Sequence, residues 1–408
     1  MSLNSKMVIA ILFTVIITGI AASYQFTRST EDSPWYRSNL AIDGPTYIRG
    51  MAHIRETGSL LHPVTLFQSP GYQIFLGMLY RNYATSADCF RGAKLFAWGA
   101  IGVTIAMIVF LGATIYGPIT GWLAGALLAW SFPYWVYANC LQYEVWAGLF
   151  LTSLVLAAVV IAKNGFRDDL ALLGASIAAT LLCFLNARYL TVIVAFGAHL
   201  CSGPRSSRRR NLGLFLFPFL AVTLSWSVYQ SLQYGHPLFI SSQWGEHFTR
   251  GNNLRAYGSW VPVQDEPAGL AFIWQHPGRW LHLFYERWML LWGLASDPWH
   301  VEPMSAHALT GTTWMKAAAD GTERLFLFTS VLGLIVSRRV DRARPLVWIA
   351  TFSLLGPLVF YGSARYLIPT YPLLFLMIAH LWKSLWQRTS RFVTTYSVVK
   401  TSHLQTSP

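Results

Sequence analysis

Long stretches of this chain carry almost no charge. Residues 92–115, GAKLFAWGAIGVTIAMIVFLGATI, hold only Lys94. A helix rises 1.5 Å per residue, so about 20 apolar residues cross the hydrocarbon of a bilayer. Comparable runs recur along all 408 residues. In lipid every backbone polar group must be paired internally, which leaves helices or closed barrels. These runs are continuous and rich in Leu, Ile and Ala, without the alternation of a barrel strand. The expected fold class is therefore all-α: a polytopic membrane protein. Composition agrees, with 54% hydrophobic and 12% charged residues, against about a quarter charged in soluble domains.

Hydropathy and length predict about ten spans, near 7–23, 92–115, 118–134, 144–162, 169–185, 188–203, 211–230, 323–337, 345–361 and 366–386. Orientation follows from short loops rich in Lys and Arg. "SGPRSSRRRN" holds Arg205, Arg208, Arg209 and Arg210, "SRRVDRARP" holds Arg338, Arg339, Arg342 and Arg344, and "KNGFR" holds Lys163 and Arg167. With Lys383, Arg388 and Arg391 of the tail, all fall on one side if both termini do. That side is read as cytoplasmic in a plasma (inner) membrane. The N-terminal run, with Lys6 ahead of it, reads as a retained signal-anchor, with a cleaved signal peptide as the alternative. The net charge of +13 comes from these loops and suits an anionic lipid surface or substrate, not nucleic acid. Cys89, Cys140, Cys183 and Cys201 fit neither a zinc motif nor a disulfide framework.

Residues 1–390 read as one transmembrane module and 391–408 as a short cytoplasmic tail. No internal repeat divides them. Two long segments, 24–91 and 231–322, lie on the outer side. In the first, "DGPTYIRGMAHIRETG" places Tyr47, Ile48, Met51 and Ile54 at helical spacing, from Asp43 to a stop at Gly58. "SPGYQIFLGMLYRN" starts with Ser69 as a cap and Pro70 at the first helical position. Both suit helices lying in the interface. In the second, 281–294 is short for a span and contains His282, Glu286 and Arg287, so it reads as interfacial or re-entrant. If it spans instead, the count changes by one and the C-terminus moves to the other side.

Several residues stand out for chemistry. Arg365, in "FYGSARYLIPTYP", and Arg188, in "FLNARYL", sit at outer ends of spans, each followed by a tyrosine. Charges at such depth serve a substrate or a partner charge. A guanidinium grips phosphate with two parallel donors. The alternative for each is snorkelling to headgroups or pairing with a carboxylate. Asp43 is a natural helix cap, and a carboxylate so held is also suited to general base work. Glu144, taken alone, reads as an anchor facing headgroups. His236, His247, His276, His282, His300 and His307 are scattered, with no metal-binding spacing. No cofactor is called for, and a divalent metal remains an option. No serine lies in a nucleophile-elbow context.

In order and spacing these segments resemble the GT-C superfamily of integral-membrane glycosyltransferases, in the branch related to protein O-mannosyltransferases and the lipid A aminoarabinose transferase. "DGPTYIRGMAHIRETGSL" is similar to the family's first outer loop, "QSPGYQIFLGMLY" to the segment after it, and "LQYEVWAGLFL" to the segment with a second outer acid. "FLNARYL" is similar to the next outer turn, "TRGNNLRAYG" to a Gly-Asn-Asn segment, and "ARYLIPTYPLLFLMIAHL" to the segment opening the last core helix. The resemblance implies a catalytic Asp43, supported by Tyr47 in the same loop. Glu144 would be the second acid, where many relatives carry Asp. Arg365 and Tyr366 would hold the donor phosphate, with Arg188 nearby. It implies a polyprenyl-phosphate-linked sugar as donor, used at the outer face; the expected acceptor, from the compact, tail-less form, is a glycan or lipid more than a protein. Unlike several relatives, the chain ends about twenty residues after its last span, without a large soluble domain. A transporter or flippase of a lipid-linked sugar is the runner-up, and a membrane polymerase or ligase of surface glycans is a third reading.

Overall fold

All ten apolar stretches are helical over most of their length in the computed structural model, which describes residues 5–29, 44–60, 69–139, 142–258, 263, 266–292, 294 and 313–405. Helix α1 is Ser5–Ser29, followed by α2 (Gly44–Thr57) and α3 (Pro70–Tyr80) in the first long segment. Then come α4 (Ser86–Tyr116), α5 (Pro118–Ala129), α6 (Phe132–Asn139), α7 (Glu144–Lys163) and α8 (Asp169–Leu185). A 3-10 turn, Ala187–Tyr189, leads into α9 (Leu190–Cys201), and α10 is Arg205–Tyr234. The second long segment holds α11 (Gln243–Gly251), α12 (Leu270–Gln275) and α13 (Pro277–Leu291). Last come α14 (Thr313–Ser337), α15 (Arg344–Val359), a 3-10 segment at Ala364–Thr370 and α16 (Tyr371–Gln405). Among the described residues there is no β-strand, only an isolated bridge between Asn253 and Ala268.

Among the described residues, three helical segments are long and apolar enough to cross a membrane: Asp88–Tyr116, Glu144–Lys163 and Arg205–Tyr234. Shorter apolar segments include Val8–Ala22, Pro118–Ala129, Asp169–Leu185, Ala187–Cys201 and Leu325–Ser337. The outer faces of these helices are apolar. On α10, Phe217 and Leu232 are 76% and 77% exposed, with Val222 and Val228 beside them. Water would oppose such a surface, whereas hydrocarbon matches it. Inside, Leu111, Leu151, Leu154, Leu172, Leu376 and Met377 belong to one continuous core. The α4 and α5 helices of the hairpin pack closely. A Cβ on Gly112 would sit 2.4 Å from the Gly121 Cα, the backbone-to-backbone approach that small residues permit between membrane helices.

Local signals explain most boundaries. Thr85 caps α4 by accepting from the Asp88 N–H, and Asp168 caps α8 by accepting from the Ala171 N–H. Helix α2 stops at Gly58, at φ +73°, and α3 begins with Pro70 as expected. Two expectations change. Ser69 takes the cap position of α3, yet its side chain makes no capping bond. The 118–134 stretch is not one helix: it breaks at Trp130–Ser131, and α6 restarts with Pro133 in its first turn.

Candidate functional site

The 3-10 turn before α9 holds Arg188 in place. Asn186 accepts the Arg188 backbone N–H at 3.1 Å and donates its amide to the Tyr143 hydroxyl at 2.8 Å. Thr191 ties the turn to α15 through the Phe352 carbonyl, 2.7 Å away. Arg188 is thereby folded inward and only 5% exposed. Its guanidinium lies over the Tyr366 ring, 3.6 Å from the centroid, and Nη2 donates to the Tyr189 hydroxyl at 3.1 Å. Nε and Nη1 are buried with no hydrogen-bond partner among the described residues. Burial pushes the Tyr143 phenol up, against the pull of Arg188, so it remains an uncharged OH beside the cation.

The second cation arrives on the 3-10 segment before α16. Arg365 Nε lies 3.3 Å from Glu144 Oε1. The Glu144 side chain has no exposed surface, and that of Arg365 is 12% exposed. Arg365 also lies 5.3 Å from the Tyr366 centroid. Tyr366 is thus shared by both guanidiniums, and its hydroxyl meets that of Tyr361. The headgroup-anchor reading of Glu144 gives way here: α7 starts inside the protein, against the 3-10 segment, and its first carboxylate pairs with an arginine. Removing two charges from water costs several kcal/mol per ion, so the pairing and the rings packed around it must offset what enclosure costs.

Beside Arg188 is a crevice with about 20 Å³ of free volume, lined by Ser69, Asn186, Arg188, His247, Tyr361 and Tyr366. That is room for a water or one phosphate oxygen. Ser69 brings the N-terminus of α3 to it, where free N–H groups and the helix dipole favour negative charge. His247 reaches it from α11, edge-on to Tyr361 with centroids 5.0 Å apart.

Tyr47 joins this region through packing. Its ring meets Tyr72 edge-on at 5.1 Å. Tyr72 stacks on Phe75 at 6.1 Å, and Phe75 packs 5.1 Å from Trp146, two residues after Glu144. The first-loop helices therefore rest on the start of α7. Asp43 lies outside the described residues, immediately ahead of α2. Among the described residues no three of His, Cys, Asp and Glu gather as metal ligands.

Sequence reasoning picked out Arg188, Arg365, Tyr366 and Glu144, and the structure brings all four together. It missed Tyr143, Asn186, Tyr361 and His247, and it missed the clasp behind them. Arg287 is fully buried. It donates to the carbonyls of Leu358 (2.6 Å), Val359 (3.1 Å) and Gly251 (2.8 Å) and to Asn252 Oδ1 (2.9 Å). Burial pushes its guanidinium down to about 9, so it is still a cation at neutral pH. Asn252 donates to Val359 O at 3.1 Å, and Gly362 N–H to Gly258 O at 2.7 Å. These bonds fasten the Gly-Asn-Asn segment to 358–362, just ahead of Arg365. The signal was the pair of asparagines after Gly251 together with an arginine in a mostly apolar helix.

No family model matches this chain, and no curated protein matches it.

Proposed function

We propose that this chain is a polytopic membrane glycosyltransferase of the GT-C kind. It would move a sugar from a polyprenyl phosphate to a glycan or lipid hydroxyl at the outer face of the plasma membrane. The reading takes residues 1–390 as one module of about ten spans, with both termini and the tail 391–408 cytoplasmic. One observation carries it: two enclosed guanidiniums share the Tyr366 ring, and Arg188 keeps two buried donors without a partner among the described residues. A buried cation with unused donors is costly, and a phosphate oxygen in the adjoining crevice relieves that cost.

In this scheme the acceptor oxygen attacks the anomeric carbon as the bond from that carbon to the phosphate oxygen breaks. The configuration inverts. The hydroxyl proton passes to Asp43, and the phosphate leaves with the bonding electron pair. Arg188 and Arg365 stabilise the charge that collects on it, an effect of roughly 3–4 kcal/mol for each donor in comparable sites. Glu144 holds Arg365 in position, and Tyr47 supports the loop that carries Asp43. Phosphate is a good leaving group, so no strong general acid is required.

The test is reconstituted full-length protein supplied with a radiolabelled polyprenyl-phosphate sugar and candidate acceptors. Wild type should form product, and Asp43→Asn should form none while still binding donor. Product formation by Asp43→Asn at near wild-type rate removes Asp43 from the base role. Translocation of the labelled lipid by wild type without product assigns the chain to the transporter class.

A further inference from the structure

A large cavity lies at the far end of α7 from Glu144, about 28 Å away for a helix of this length. It has a volume of about 760 Å³ and sits among the ends of α4, α7, α9 and the start of α15. Sites for small ligands commonly have this size. Its rim is cationic, with Lys163, Arg342 and Arg344. Arg344 is bound to Asp341 at 2.7 Å, so the lining carries three positive charges and one negative. Its apolar lining comes from Ile115, Val159 and Trp348.

The wall of this cavity is shaped at a conformational cost. Phe166 follows the end of α7 at φ +62°, a region that L-residues with large side chains seldom adopt. The rest of the structure holds it there. Its N–H donates to the Ile161 carbonyl at 2.8 Å, and its carbonyl accepts from Asn211 at 2.9 Å. The ring is thereby turned to face His199, with centroids 5.5 Å apart. The His199 ring is itself committed to the Ala158 carbonyl, 3.3 Å away. The cavity therefore combines a fixed aromatic wall, apolar lining residues and a cationic rim at a helix-bundle end.

We propose that this cavity binds the phosphate headgroup of an anionic membrane lipid. Lys163 and Arg342 would be the phosphate contacts, with the upper part of the lipid chains against Ile115, Val159 and Trp348. A phosphate with an attached apolar chain matches both halves of the lining. A free phosphate would use only the rim. The site is separate from the Arg188–Arg365 cluster, and the inference does not depend on the glycosyltransferase reading.

The test is native mass spectrometry of the full chain in detergent with equimolar phosphatidylglycerol and phosphatidylcholine. Wild type should retain phosphatidylglycerol in preference. The Lys163→Ala/Arg342→Ala double variant should lose that preference, by roughly fivefold for each cation removed. An Arg205→Ala/Arg209→Ala control removes two exposed cations outside the cavity lining and should keep the preference. Equal retention by wild type and the cavity variant overturns the proposal, as does equal loss in the control, which would signify general surface attraction. Millimolar inorganic phosphate should leave the lipid bound, and complete displacement by phosphate alone overturns the lipid assignment in favour of a free anion. Thermal unfolding of each variant within a few degrees of wild type keeps these outcomes interpretable.

Discussion

The two ends of α7 hold charge in opposite ways. At its start, Glu144 and Arg365 are enclosed and paired, and Arg188 and Arg287 are buried close by. At its end, Lys163 is exposed, and the neighbouring ion pairs lie in the open: Arg344–Asp341 at 67% and 86% exposure, and Arg210–Asp169 at 47% and 51%. Exposed arginines near a bilayer can be held by headgroups and water without help from the fold. Enclosed ones need carbonyls, rings and carboxylates arranged for them. A chain keeps such an arrangement where the charge has work to do, so the buried end is where activity is sought and the open end is where lipid contact is sought.

The comparison is most exposed to a stability measurement at Glu144. Glu144→Ala should cost about 3–5 kcal/mol, because a buried guanidinium loses its carboxylate. Asp341→Ala, at the open end, should cost under about 1 kcal/mol. Thermal unfolding of both variants in one detergent gives the contrast directly, and equal shifts would break it.

Next in size is an effect on turnover. On the glycosyltransferase reading, Arg188→Ala should reduce kcat/KM by roughly 3–4 kcal/mol, a loss of several hundredfold. Arg342→Ala should leave it within about twofold. Steady-state kinetics with the lipid-linked donor decides this. A comparable loss from Arg342→Ala would show that charge at either end serves the same chemistry.

The helices were legible because hydropathy is local. A stretch such as 144–162 declares itself whatever surrounds it, and Pro70 and Gly58 mark ends by backbone chemistry alone. Arg188 and Arg365 were legible because a cation in a short turn between two apolar runs is out of place. The enclosure of Glu144 was not, since a lone glutamate at a helix start has the same sequence signature on a surface as in a core. The break at Trp130–Ser131 was hidden by an apolar run that hydropathy reads straight through, although Pro133 was available as a restart signal. Arg287 was noticed only as an argument against spanning, because its partners are backbone carbonyls, which leave no trace in side-chain patterns.

The clasp sharpens the contrast at intermediate size. Gly251 lies so close to 358–362 that a Cβ would sit 1.8 Å from the Phe360 carbonyl oxygen. Gly251→Ala must therefore push the Gly-Asn-Asn segment off its seat and strain the four Arg287 bonds, at a cost of about 1–3 kcal/mol. Hydrogen exchange should rise in 251–258 and 360–366 and remain unchanged in 160–170. Faster exchange at both ends would signify global loosening in place of a local latch.

The smallest expected effect is at Asp169. Its bond to Arg210 is half exposed at both partners, so solvent and salt weaken it, and its place in the first turn of α8 adds only a modest interaction with the helix dipole. Asp169→Asn should lower stability by about 0.5–1 kcal/mol in dilute buffer and by less at high ionic strength. The same salt should leave the Glu144→Ala deficit nearly unchanged, because no electrolyte reaches a pair enclosed by the fold. Measured across a salt series, the two variants therefore separate by slope as well as size. A Glu144 deficit that fades with salt would place that carboxylate in water and remove the distinction between the two ends of α7.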